Sequence, residues 1–245
     1  MKTQQSSYYI ISIWMMMLCS VTSFSQNTTV KQDSAVFKQH YGLRLGGDLG
    51  KLARSFLDDK YKGFEVVGDY RLTKNLYLAG ELGTEEFTNS TDYLNVTAKG
   101  SYFKGGADYN FYVNWLDMEN LIYGGFRAGI SSFSQTLNSY TIYNTDQYWE
   151  PQFSDSPDKQ FKGLSAIWAE LIIGLKAQVV SHLYVGLNVQ LKGMVTQDEP
   201  SNFANLTVPG FNKIYDSGRF GVGFGYTLSY LIPIYKKDKV VITPK

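Results

Sequence analysis

The chain has 245 residues, of which 44% are hydrophobic, 16% aromatic and only 18% charged, with a formal net charge of +1. This length fits one all-β domain, and the small share of charged residues is low for the surface of an ordinary soluble protein. A net charge this close to zero provides no basic field for nucleic acid, so nucleic-acid binding is excluded.

The start of the chain has the layout of a secretory signal. An apolar stretch runs from Tyr8 to Leu18, and small residues lead to a cleavage site after Ser25. This stretch is well short of the roughly 20 residues that a helix needs to span a bilayer. We therefore expect residues 1–25 to be a signal peptide and residues 26–40 a polar periplasmic lead-in. Cys19, the single cysteine, lies in the signal, so the exported chain would have no disulfide and no thiolate metal site.

From Tyr41 onward, hydrophobic residues alternate with polar or small ones, as is typical of strands with two unlike faces. The clearest example is the segment from Leu183 to Lys192, in which every second residue is Leu or Val. Eight segments have this pattern, and in chain order they are Tyr41–Leu49, Phe64–Arg71, Leu76–Leu82, Phe103–Phe111, Ile122–Ile130, Ile167–Val179, Leu183–Lys192 and Phe220–Tyr230.

The connections between these segments alternate in length. Those after the second, fourth and sixth segments are short, and the longest of the others is predicted to run from Ser131 to Gly163. Outer-membrane barrels have this asymmetry, with short periplasmic turns and longer extracellular loops. The pattern predicts an all-β, antiparallel, eight-stranded transmembrane outer-membrane β-barrel over residues 41–232, followed by a periplasmic tail over residues 233–245. The expected location is the cell outer membrane, with its lipid as a partner.

Alternation alone does not say which face points outward, and a soluble lipocalin-like barrel would bury the apolar face instead. The apolar set is predicted to face lipid, because an Arg or Lys facing lipid near the midplane costs about 2 to 4 kcal/mol. The other face would then form a lumen ion-pair network, made of Arg44, Asp48, Glu65, Asp69, Arg71, Glu81, Lys104, Asp108, Arg127, Glu170, Lys176, Lys192 and Arg219. Asp108 is the first candidate partner of Arg127. The near balance of acids and bases favours a lumen closed by ion pairs over a selective pore.

Catalytic chemistry is not expected. The chain has two histidines, His40 and His182, and both are predicted on the periplasmic side, away from the outer leaflet in which lipid-modifying barrels work. A Ser–His nucleophile needs both groups within hydrogen-bond distance. The glycines at positions 221, 223 and 225 do not precede a helix, so they predict small residues in a crowded interior rather than a dinucleotide site. No catalytic residue, cofactor or metal site is predicted.

The longest predicted loop is unusually aromatic. Its candidate partner-binding residues are Tyr140, Tyr143, Tyr148, Trp149 and Phe153. Aromatic residues are enriched where proteins bind one another, and packing of these rings over the mouth of the barrel is the alternative that the sequence leaves open.

Several segments together resemble a known family. They are Tyr41–Arg44, Tyr61–Glu65, Asp69–Leu78 and Phe133–Tyr140. They are similar to an uncharacterised outer-membrane family of Gram-negative bacteria, and the similarity covers nearly all of the exported chain. The resemblance implies the fold and the location and no activity. The chain departs from the commonest outer-membrane pattern because it continues past Tyr230 into a basic tail instead of ending on a strand-terminal Phe.

The sequence thus leads us to expect a non-enzymatic structural or partner-binding component of the outer membrane, such as an accessory subunit of an envelope complex with other envelope proteins as partners. Two alternatives stay open. One is a narrow diffusion channel, and the other is a lipid-modifying enzyme of the outer leaflet.

Overall fold

Antiparallel strands make up nearly all of the regular structure. The computed structural model describes residues 37–114, 119–146, 152–201, 205, 207–213 and 219–239. The predicted signal peptide and most of the lead-in lie outside these residues. In chain order the elements are β1 (Phe37–Asp48), α1 (Leu49–Leu57), β2 (Tyr61–Arg71), β3 (Leu76–Ser90), β4 (Leu94–Asn110), β5 (Leu121–Ile142), β6 (Phe153–Asp155), β7 (Lys159–Val180), β8 (Leu183–Gln197), β9 (Thr207–Val208), β10 (Asn212–Lys213) and β11 (Phe220–Lys239).

Eight of these strands close into a ring. Their order is β4-β3-β2-β1-β11-β8-β7-β5, and β5 pairs with β4 to complete the circle. The prediction of an all-β, antiparallel fold is confirmed. Within the described residues, no helix is long and apolar enough to cross a membrane.

The ring extends further along the chain than the sequence predicted. β1 begins at Phe37, inside the predicted lead-in, and β11 continues to Lys239, inside the predicted tail, because these two segments pair with each other. The predicted loop from Ser131 to Gly163 is also corrected. β5 continues to Ile142 and pairs with β7 from Lys159 onward, so strands occupy most of that segment.

The strands are strongly tilted. Leu45 on β1 pairs with Tyr230 on β11. The row of paired residues that starts at Leu45 can also be followed in the other direction, through β2, β3, β4, β5, β7 and β8. It then reaches β11 at Phe220, ten residues before Tyr230. This stagger is the shear of a closed eight-stranded sheet, whose interior is just wide enough for side chains to fill.

The two faces of the ring exchange polarity along β5. In its first half Phe126 points outward and is 52% exposed, whereas Arg127 points inward and is 3% exposed. In its second half Phe133 is the buried residue, and its polar neighbour Ser134 lies on the outer face. The first half therefore has an apolar outside and a charged inside, whereas the second half has a polar outside and an inside in which apolar residues lie beside polar ones.

This exchange follows one row of paired residues across four neighbouring strands. An outward row of paired apolar residues consists of Leu82, Phe103, Ile130 and Ile167, which are 42–59% exposed. Two residues further along each strand lies a second outward row, made of Thr84, Ser101, Ser132 and Ser165. We call the outward apolar surface between this boundary and the short-turn end of the ring the apolar band, and we use above and below for the directions away from and toward the short turns. All eight ring strands contribute exposed apolar side chains to it, among them Leu45, Val66, Leu187 and Phe224.

Candidate functional site

Charged side chains fill the interior of the ring at the level of the apolar band. They arrive there because alternate residues of each strand point inward, and the structure brings most of the predicted lumen residues together. Near the end of the ring that carries the short turns, Arg44 donates through Nε to Asp69 at 2.7 Å. Lys176 donates to the other oxygen of the same carboxylate at 2.6 Å. The Arg44 guanidinium also lies 5.0 Å from the centre of the Tyr77 ring and 4.9 Å from that of Tyr184.

Arg127 forms the next layer. It donates to both oxygens of Asp108, at 2.7 and 2.9 Å, and its Nε lies 3.7 Å from Glu81. Asp108 was the first candidate partner from the sequence, and it is the acid to which Arg127 donates these two hydrogen bonds. Parallel hydrogen bonds of this kind are among the strongest that proteins make.

Lys104 lies at the centre of the network and is 1% exposed. Its ammonium is 2.8 Å from Glu81, 3.5 Å from Glu65 and 3.7 Å from Glu170. Lys192 approaches Glu170 to 3.4 Å. The ammonium of Lys104 therefore contacts three carboxylates that come from three different strands.

Three of the predicted lumen residues have other positions or roles. Arg71 points inward but donates to the backbone carbonyls of His40, Thr73 and Lys74, so it ties the ends of strands together instead of pairing with an acid. Asp48 is buried and caps helix α1, since its carboxylate accepts from the backbone N–H of Lys51 at 3.0 Å. Arg219 is exposed and lies directly before the start of β11 at Phe220, outside the buried network.

Sequence analysis missed two charged members of the network. Lys51, on helix α1, donates to Glu65 at 2.9 Å and to Glu85 at 2.8 Å, and it also donates to the Tyr102 hydroxyl. Glu85 is 5% exposed and accepts from the Tyr61 hydroxyl as well. The sequence signal for Glu85 was present, because it continues the inward alternation of Glu81 beyond the predicted end of the strand.

Space inside this part of the ring is small. The cavity between Arg44, Asp69 and Arg127 has a volume of about 20 Å³, and one next to His40 and Arg71 has about 10 Å³. A void of this size holds about one water molecule. The charged interior is therefore filled by side chains along the apolar band.

Part of the connection between β8 and β11 folds back into the opposite end of the ring. We call its described residues, 205 and 207–213, the plug. Val208 and Phe211 of the plug have 0% exposure. Together with ring residues they form one buried apolar cluster, whose other members are Tyr102, Phe133, Leu164, Ala166, Trp168 and Met194. The plug thus supplies part of the apolar core of the half of the ring above the band.

Charged side chains hold the tip of the plug. The N–H of Gly210 donates to Glu85 at 2.7 Å, and its carbonyl accepts from Lys192 at 2.7 Å. Gly210 has φ +83, and a Cβ there would lie 2.5 Å from the ring of Tyr102. Only glycine meets both conditions without strain. The same Lys192 and Glu85 therefore belong to the lumen network and to the plug site.

The two histidines lie together at the short-turn end. Their ring centres are 5.5 Å apart. The Ser181 hydroxyl is 2.8 Å from Nδ1 of His182, but the nearby acid, Glu119, approaches His40 instead, at 3.4 Å. Ser181 and His182 are adjacent residues of an exposed turn, so their adjacency in sequence explains the contact without a catalytic role. In the described part of the chain, no cluster of three or more His, Cys, Asp or Glu side chains has the geometry to hold a metal ion.

The predicted aromatic loop is split by the strands that replace it. Tyr140 lies in β5, and its ring is 6.3 Å from that of Phe153 in β6. Tyr143 follows β5, and its ring is 5.7 Å from that of Tyr93 in the neighbouring β3–β4 turn. The other two members of the set, Tyr148 and Trp149, lie outside the described residues. We call Tyr93, Tyr140, Tyr143 and Phe153 the aromatic tip.

A closed antiparallel ring with a charged interior, an apolar outer band and an inserted plug defines a class of architecture but no activity. By sequence, the chain belongs to the family described as Domain of unknown function (DUF6048), which matches residues 6–237. That description states neither an activity nor a cellular location. Comparison with curated proteins gave no significant match, and comparison with solved structures gave none either.

Proposed function

We propose that this protein is a transmembrane β-barrel of the outer membrane with a structural or partner-binding role and no catalysis. The exchange of polarity along the strands is the observation that carries the proposal. A soluble protein keeps apolar residues inside along its whole height, whereas a membrane protein exposes them only where lipid surrounds it.

The height of the apolar band fits a bilayer. On β5 the outward apolar residues run from Ile122 to Ile130, which is nine residues, and on β7 they run from Ile167 past Leu175 to Val179. A tilted strand needs about 9 to 11 residues to cross the hydrocarbon core. In this proposal the long strands continue above the outer leaflet as an exposed rim, and both ends of the chain lie in the periplasm.

A depth series on β5 tests the membrane assignment. Phe126→Arg, in the middle of the band, is expected to destabilise the folded protein in vesicles by about 2 to 4 kcal/mol, because the charge would face hydrocarbon. Ser134→Arg, on the same face above the boundary, is the matched control and is expected to cost at most about 1 kcal/mol. The measurement is urea unfolding in phospholipid vesicles. Equal effects of the two substitutions would exclude this membrane position.

The filled interior favours a structural role over a diffusion channel. Conduction needs a continuous water path, and the cavity between Arg44 and Arg127 holds about one water molecule. Enzyme chemistry in the outer leaflet is the weaker alternative, because the Ser181–His182 contact lies at the opposite end, which the proposal places in the periplasm.

Partner binding is proposed at the aromatic tip. Tyr93, Tyr143 and Phe153 are 50%, 62% and 56% exposed, and exposed aromatic clusters are typical of binding surfaces. We expect Tyr143→Ser combined with Phe153→Ser to abolish co-purification of an envelope protein from solubilised membranes while folding is unchanged. Thr88→Ser combined with Lys99→Ser, on β3 and β4 below the tip, is the control. A partner retained by the tip variant would place the binding surface elsewhere.

A further inference from the structure

Helix α1 occupies a gap in the wall of the ring. β1 ends at Asp48, and beyond it β11 pairs only with β8 over residues 220–226, while β2 pairs only with β3 over residues 61–65. Among the described residues, no strand pairs with the edges of β11 and β2 that would have faced a longer β1. On these two stretches, Tyr226 belongs to the apolar band and the exposed side chain of Phe64 borders it. A bare strand edge at this level would leave backbone groups in lipid without hydrogen bonds, at several kcal/mol each.

The helix takes the place of the missing strand. The Ser55 hydroxyl accepts from the N–H of Gly63 at 2.7 Å and lies 3.0 Å from its carbonyl, which are contacts that a strand neighbour would otherwise make. At the other end, Gly50 packs so closely on Tyr226 that a Cβ would lie 3.0 Å from that ring. The helix therefore spans the gap from β11 to β2.

Helix α1 has one polar and one apolar face. The polar face points into the ring, where Lys51 contacts Glu65 and Glu85. The apolar residues follow the i, i+3, i+4, i+7 spacing of one helix face and are Leu49, Leu52, Ala53 and Phe56, with Leu57 beside them. Leu49, Phe56 and Leu57 are 45%, 86% and 87% exposed.

We propose that this face is a lipid-binding surface, which lies against the acyl chains of the outer leaflet at the upper edge of the apolar band. The inference rests on the proposed membrane function. Its support is continuity, because the helix packs on Tyr226 of the band and lies beside Phe64, an exposed apolar residue that borders the band. A helix with an apolar face outward and a charged face inward is suited to the membrane interface.

Site-directed spin labelling of the full chain tests this surface. In a Cys19→Ser background, a nitroxide is placed at Phe56→Cys and the protein is reconstituted in phosphatidylethanolamine and phosphatidylglycerol vesicles. Phe126→Cys is the control within the band, and Lys99→Cys is the control above it. Oxygen concentrates in lipid and a nickel chelate in water, so we expect the ratio of oxygen to nickel accessibility at position 56 to exceed that at 99 and to approach that at 126.

The controls separate the two proposals. A water-like ratio at position 56 with a lipid-like ratio at 126 would overturn the lipid surface alone, whereas a water-like ratio at 126 would overturn the membrane function itself. If the label at 56 is immobilised and reached by neither reagent, a protein covers the helix and the lipid surface is again wrong.

Discussion

Lys104→Met is expected to be among the most damaging single substitutions in the interior of the ring. It would leave Glu65, Glu81 and Glu170 without the ammonium that lies within 3.7 Å of each of them. Removing one member of a buried ion pair costs about 3 to 5 kcal/mol, because the remaining charge stays buried without compensation. Each of the three acids keeps one other cation nearby, so we expect a loss within that range.

Lys99→Met on the same strand is the matched control. Lys99 also pairs with a glutamate of β3, Glu86, at 2.9 Å, but its side chain is 68% exposed. An exposed pair of this kind contributes at most about 1 kcal/mol. Both variants are compared by urea unfolding in vesicles. A loss at Lys104→Met no larger than that at Lys99→Met would contradict a stabilising role for the buried network.

The strands of the apolar band could be predicted from the sequence because alternation of apolar and polar residues identifies a strand whether its apolar face points inward or outward. The predicted strands ended too early where the polarity exchanges. Along β5 the inward residues after Arg127 include both Ser131 and Phe133, and the outward residues become Ser132 and Ser134. Two faces of mixed composition no longer give a clear alternation, so this half of the strand resembled a loop.

The inward direction of the charges followed from the same alternation, but their partners depend on strand register. Register is a property of two strands together, and it places Lys104 of β4 opposite Glu81 of β3. Arg219 directly precedes the first residue of β11, and its side chain is exposed instead of joining the buried network.

The helix and the plug were missed for different reasons. Helix α1 has local signals, namely the cap at Asp48 and the spacing of Leu49, Leu52 and Phe56, and these were absorbed into the first predicted strand and the connection after it. The plug has a turn signal in Pro209-Gly210 but nothing local that says its apolar residues enter the ring. Its position depends on Glu85 and Lys192, which are distant in sequence.

Arg127→Met is expected to lower the free energy of unfolding by about 3 to 5 kcal/mol, because Asp108 would remain buried without the two hydrogen bonds that it accepts. Adding Asp108→Asn should restore much of the loss, since an amide of the same shape carries no charge. Arg54→Met is the control, because Arg54 pairs with Asp58 but its side chain is 48% exposed.

Urea unfolding in vesicles measures each variant, and the heat-resistant folded band on gels gives an independent readout. If the loss from Arg127→Met equals that from Arg54→Met, or if adding Asp108→Asn makes the protein less stable still, the pair does not hold the ring together in the way proposed.

Wild-type protein in planar bilayers provides the remaining test. Ion pairs that fill the lumen leave no continuous water path, so we expect no stable single-channel currents. Stable currents would replace the closed barrel with the narrow diffusion channel.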